Sequence, residues 1–134
     1  MTHVGETDPP LDGDWQNERG SVLHLTTSGT GLTGTYRTAL GAPDRDTSFP
    51  VTGFQEGNLV GFVVAWQGHD SLTSWAGRYE RSSDEIHALW HLVSARATRI
   101  DPATGDASKE ETPLWEAFRT QHSVFRRLKT TPTT

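Results

Sequence analysis

The residues in this chain best placed to do chemistry are hydroxyls and indoles that alternate along two neighbouring segments between Val60 and Tyr79. Read with a period of two, Val60, Phe62, Val64 and Trp66 share one strand face. After a break at Gly68-His69-Asp70, Ser71, Thr73, Trp75, Gly77 and Tyr79 share a face of the next strand. If both faces look into one enclosed space, it has indole walls and two small hydroxyls. That composition suits a compact, mostly apolar ligand with one polar end. The pattern fits binding and not catalysis. A serine nucleophile needs a base in reach, and no histidine shares a face with the inward serines. The carboxylates of Asp44, Asp46, Asp101, Glu110 and Glu111 fall in connections, where solvation accounts for them.

Two other motifs resolve into ordinary structure. Gly29-Thr30-Gly31-Leu32-Thr33-Gly34 matches a dinucleotide fingerprint letter by letter. That fingerprint needs a helix after it, and here β-branched, alternating residues follow, so the glycines read as a hairpin turn and a gap on a strand. His87 and His91 have the spacing of a helical zinc pair. On a strand they lie ~13 Å apart at ~3.3 Å per residue, too far to share one ion. With His122, they read as surface or interface histidines.

The elements that must position these residues are short, alternating and separated by turn formers. Eight such segments follow one another: 14–16, 21–27, 31–38, 48–54, 58–67, 71–80, 85–95 and 118–128. Tight turns such as Ser28-Gly29-Thr30, Gln55-Glu56-Gly57 and Arg81-Ser82-Ser83-Asp84 join most of them. The pattern predicts an all-β fold, an eight-stranded antiparallel up-and-down barrel; a sandwich ordinarily needs longer crossovers. Two connections are long: 39–47, placed to serve as a lid, and roughly 98–112, followed by a helical turn at 113–117. Residues 1–12 read as a disordered lead-in because Asp8-Pro9-Pro10 excludes regular structure. Residues 13–128 form the barrel domain and 129–134 a flexible tail. One choice of register turns Trp15, Tyr36, Trp66, Trp75, Trp90 and Phe125 inward with Ser21, Thr38, Ser71, Thr73 and Ser123. A buried hydroxyl without a partner costs ~1–3 kcal/mol, so a polar ligand edge would account for this many. The same register turns Leu59, Val63, Leu72, Leu89, Val93 and Val124 outward, an apolar exterior that predicts subunit contact.

Composition excludes several classes. The 134 residues are enough for one enclosed core. Cysteine is absent, which removes disulfides, thiolate metal sites and thiol nucleophiles. A net charge of −5 with no basic run argues against nucleic acid as a partner. No apolar run approaches membrane length, and MTHVGETDPP has no signal-peptide core.

Taken together, the motifs resemble the avidin and streptavidin family of biotin-binding barrels. They are Gly13-Asp14-Trp15-Gln16-Asn17, Leu32-Thr33-Gly34-Thr35-Tyr36, Val64-Ala65-Trp66, Ser71 through Tyr79, Trp90-His91-Leu92, and Trp115 with His122-Ser123-Val124-Phe125. They run in the family's order from about Gly13 to Leu128. The resemblance implies a non-enzymatic protein, with biotin as its ligand and no other cofactor, that assembles as a homotetramer and is secreted or periplasmic. Asn17, Ser21 and Tyr36 match the groups that hold the ureido oxygen, and Thr38 and Thr73 match positions beside the ureido nitrogens and ring sulfur. Trp66, Trp75 and Trp90, with Leu92, match the apolar walls. Ser71 and the loop at Leu40, Gly41 and Ala42 match the surroundings of the valeryl carboxylate. Trp115 matches an indole lent by a neighbouring subunit. Two positions depart. Ser123 stands where one branch of the family carries a carboxylate, so Ser123→Asp is expected to strengthen the site. Arg19 stands where an apolar residue lines the pocket, and is expected to swing into solvent or narrow the mouth. These departures motivate the alternative of a barrel with weakened or lost binding that serves as an interaction protein.

Overall fold

A computed structural model of the chain describes residues 9–38 and 47–129. Its strands are β1 (Gly13–Asn17), β2 (Val22–Ser28), β3 (Gly31–Arg37), β4 (Phe49–Glu56), β5 (Leu59–Trp66), β6 (Ser71–Glu80), β7 (Glu85–Ser94), β8 (Arg96–Ile100), β9 (Ala107–Glu111) and β10 (Phe118–Arg127). Eight of them close a barrel in the order β1-β10-β7-β6-β5-β4-β3-β2, each pair antiparallel. This is the expected up-and-down barrel, its eighth strand being β10. Among the described residues no helix is long and apolar enough to cross a membrane.

Alternation is what makes these strands. In β4 every second residue is buried, beginning with Phe49 and Val51, and the intervening ones face solvent. The interior is filled by Trp15, Leu23, Leu25, Leu32, Val64, Ile86 and Phe125, all essentially inaccessible. Gly34 is required by close approach: a Cβ there would stand 1.7 Å from the backbone oxygen of His24 on β2.

Up-and-down topology puts alternate connections at opposite ends. One end carries the chain's approach to β1, the β6–β7 turn and the end of β10, and it is plugged. Leu11 is buried, and its carbonyl accepts the Trp15 indole N–H at 2.9 Å. Gln55 Nε2 donates to the Pro9 carbonyl at 2.9 Å. The Arg127 guanidinium lies 4.3 Å from the Trp15 ring centroid and donates to the carbonyls of Pro10 and Asp12 and to Asp84. Residues 9–12 are therefore part of the packed unit, which corrects the end of the lead-in expected over 1–12. Prolines exclude regular hydrogen bonding there, not packing. Residues 1–8, residues 39–46 of the lid expected over 39–47, and the tail beyond Lys129 lie outside the described residues.

The connection expected over 98–112 contains a hairpin, β8–β9. Hydrophobic patterning cannot reveal it, because every residue of β9 is exposed and none needs to be apolar. It is tied to the β5–β6 turn: Lys109 Nζ donates to the Gly68 carbonyl at 3.0 Å and to Asp70 at 2.8 Å, and Ala95 N–H donates to the Asp70 carbonyl. The helical turn expected at 113–117 is a 3₁₀ turn, Leu114–Glu116.

Candidate ligand-binding site

The other end of the barrel is rimmed by the β1–β2 turn, the β5–β6 turn and the β8–β9 hairpin. Inside it lies a cluster of polar groups, and the β1–β2 turn sets their orientation. Asn17 Oδ1 accepts the backbone N–H groups of Arg19 and Ser21, both at 3.0 Å, the side-chain-to-backbone pattern by which Asn closes a turn. With its oxygen so occupied, the Asn17 amide directs Nδ2 at the Tyr36 hydroxyl, 3.4 Å away. Ser21 is buried and its side chain also hydrogen-bonds Tyr36. Burial raises the Tyr36 pKa, and the Glu18 charge adds to this. The Ser21 and Asn17 hydrogen bonds and Arg19 act against it without cancelling it. The phenol thus keeps its proton at neutral pH. Asn17, Ser21 and Tyr36 bring three groups able to donate to one place.

Aromatic rings surround them. Tyr36 meets Trp66 edge-on at 5.4 Å and Trp75 at 5.0 Å, and Phe62 stacks on Trp75 at 4.9 Å. Trp66 Nε1 donates to Thr73 Oγ1 at 2.8 Å, which holds that indole in place. The Trp75 indole N–H is buried with no hydrogen-bond partner. Trp90 stands opposite Trp75 across β6–β7, half-buried against the core.

The second polar feature comes from the last strand. Ser123 is 1% exposed, and its Oγ donates to Glu18 Oε2 at 2.9 Å. The Val124 N–H donates to Glu18 Oε1 at 3.0 Å. Burial works to raise the Glu18 pKa, but the Val124 and Ser123 hydrogen bonds, with Arg19 nearby, hold it below the ordinary carboxylate value. Arg19 lies over the Trp90 ring at 5.6 Å and donates to Gln121. It spans the rim from the β1–β2 turn to β10.

Of the site residues expected from sequence, Asn17, Ser21, Tyr36, Thr73, Trp66, Trp75, Trp90 and Ser123 share the inner face. Thr38, Ser71 and Leu92 are half-buried, Ser71 and Leu92 on the adjoining strands β6 and β7. Leu40, Gly41 and Ala42 lie outside the described residues. Trp115 does not join the cluster: it is 80% exposed on the 3₁₀ turn. Glu18 was not anticipated. It sits in a turn between two site residues, and its partner is 105 positions away. His87 and His122 stand on adjacent strands with ring centroids 5.9 Å apart, and His91 pairs with Thr120. Among the described residues no cluster of three or more His, Cys, Asp or Glu could hold a metal ion.

Comparison with known proteins agrees with this architecture. The family model described as "Avidin family" matches residues 6–125. Afifavidin from Afifella pfennigii is 32% identical over 93 residues, covering 63% of this chain. The match spans 58% of afifavidin, little more than half of that relative's length. The crystal structure of xenavidin aligns with a TM-score of 0.68 at 27% identity, over 91% of this chain and all of that one. A shwanavidin mutant in complex with biotin aligns with a TM-score of 0.65 at 26% identity, over 90% of this chain and 99% of that one. A closed barrel in this strand order and a family match running from ahead of β1 to Phe125 lead to one conclusion: the chain belongs to the avidin family.

Proposed function

We propose that this protein binds biotin, without catalysis, in the rimmed end of its barrel. The observation that carries the reading is the convergence of Asn17, Ser21 and Tyr36, from β1, the β1–β2 turn and β3, on one spot walled by Trp66 and Trp75. Three donors aimed at one place suit a single polarised oxygen such as a ureido carbonyl, and each is worth ~0.5–1.5 kcal/mol net to a bound ligand. The bicyclic ring lies among Trp66, Trp75, Trp90 and Leu92, with Thr38 and Thr73 at its polar edge and Ser123 accepting from a ureido N–H. Ser71 and residues 40–42 lie toward the carboxylate tail. The biotin-bound shwanavidin relative supports the choice of ligand.

The assembly belongs to the same proposal. Phe118, Val93 and Leu72 lie in register across β10, β7 and β6 on the outer face, and Leu89 and Leu59, each about half exposed, extend the apolar area. A face of this kind suits contact with further copies of the chain, here as a homotetramer. Trp115 has little to bury it in its own barrel, and it suits the mouth of a neighbour's site. The setting is secreted or periplasmic, with neither nucleic acid nor membrane as a partner. Titration calorimetry tests the reading with biotin and with an analogue lacking the ureido group. Tight binding of biotin alone is expected. Equal binding of both, or of neither, would refute it.

A further inference from the structure

We infer that Glu18 is a positioning residue for the biotin site proposed above: it holds the Ser123 hydroxyl as a hydrogen-bond acceptor toward a ligand N–H. The inference rests on that reading of the site and adds to it a group that touches no ligand.

A serine hydroxyl has one hydrogen and two lone pairs. Free to rotate, it serves a donor or an acceptor equally. Here its hydrogen is committed to Glu18 Oε2 at 2.9 Å, which leaves only lone pairs for the barrel interior. The acceptor is a carboxylate, so the bond is charge-assisted and the serine oxygen becomes more electron-rich. The carboxylate cannot easily turn away, because the Val124 N–H holds its other oxygen at 3.0 Å. Both bonds, together with the Arg19 charge, favour the ionised form that the arrangement requires.

The geometry matches a cyclic urea in its ordering. Such a ring presents a carbonyl oxygen flanked by N–H donors. The barrel presents donors at Asn17, Ser21 and Tyr36. It presents a committed acceptor on β10, where Ser123 shares the inward face of Phe125, whose ring meets Tyr36 at 6.4 Å. Glu18 thus does through Ser123 what a carboxylate at position 123 would do directly. It stays at the exposed turn and avoids the cost of burying a charge.

Glu18→Gln keeps the shape and inverts one contact. An amide has one acceptor oxygen; the Val124 N–H can only donate and keeps it, so the NH₂ group faces Ser123 Oγ, which accepts from it and turns its own hydrogen inward. The experiment measures dissociation constants for wild type, E18Q, S123A and the double variant. The ligands are biotin and its two analogues carrying one methyl group on either ureido nitrogen. E18Q is expected to weaken biotin about tenfold, S123A similarly, and the double variant no further than either. For the analogue methylated on the nitrogen that faces Ser123, E18Q should change nothing. A merely structural role would weaken all three ligands alike. In the absence of ligand, the Val124 amide resonance should titrate with Glu18 in wild type and lose that titration in E18Q. Wild-type protein that takes up no biotin overturns the proposed function itself. Wild-type binding with an unchanged E18Q constant, or with equal loss for every ligand, overturns this inference alone.

Discussion

Placing a carboxylate at position 123 should weaken this protein, although sequence alone suggests the opposite. Ser123 Oγ lies 2.9 Å from Glu18 Oε2, so an aspartate there sets two carboxylates side by side. Two unit charges ~4 Å apart repel by ~4 kcal/mol at an effective dielectric constant of ~20. Glu18 is exposed, and screening reduces this to about 1–2 kcal/mol. The hydroxyl-to-carboxylate bond, worth ~1.5–3 kcal/mol, is lost as well. The pH dependence gives the sign. In wild type the Glu18 pKa is lowered, so its contribution is present above the unfolded-state pKa and is lost as pH falls through the folded one. In Ser123→Asp the pair shares a raised folded pKa, so the deficit is full at neutral pH and shrinks as acid protonates one member. Urea unfolding of wild type, S123D and S123D/E18Q at pH 7.5 and pH 5 reads both effects, and biotin dissociation rates accompany it. The expected result is a deficit of about 2.5–5 kcal/mol at pH 7.5 that narrows at pH 5 and is largely recovered in the double variant. An S123D protein as stable as wild type at both pH values, or one that releases biotin more slowly, would refute the reasoning.

Three further outcomes follow from the geometry. Tyr36→Phe removes one donor from the polar cluster and should weaken biotin by ~1–3 kcal/mol in calorimetry while the unfolding midpoint barely moves; an unchanged dissociation constant would remove Tyr36 from the site. Trp115→Ala should speed biotin release and lower the mass seen by light scattering together, since an indole 80% exposed in one barrel has its packing to gain from another. A variant that keeps both properties would make Trp115 a purely local loop residue. Gly34→Ala forces a methyl group to within 1.7 Å of the His24 carbonyl and should destabilise folding by on the order of 4 kcal/mol, read by urea unfolding; wild-type stability would mean that β2 and β3 separate freely.

How much was legible without coordinates depended on whether one face of a segment had to be apolar. Val60, Phe62, Val64 and Trp66 alternate with exposed or half-exposed partners because β5 has one face in the core, and burial writes itself into the sequence at period two. The barrel and most of its inner face follow from that rule applied strand by strand. Where burial does not select composition the rule is silent. β9, Ala-Ser-Lys-Glu-Glu, is a strand held by backbone pairing to β8 and by Lys109 to the β5–β6 turn. Leu11 is buried beside prolines because the end of the barrel must be plugged, a demand made by closure and not by local propensity. Glu18 shows the limit most clearly. As a residue type in a turn it reads as a solvated charge. Only the pairing of β1 with β10 brings that turn to Ser123, 105 positions along the chain. Local alternation can specify which residues face inward, but a hydrogen bond between the first turn and the last strand exists only once the sheet has closed.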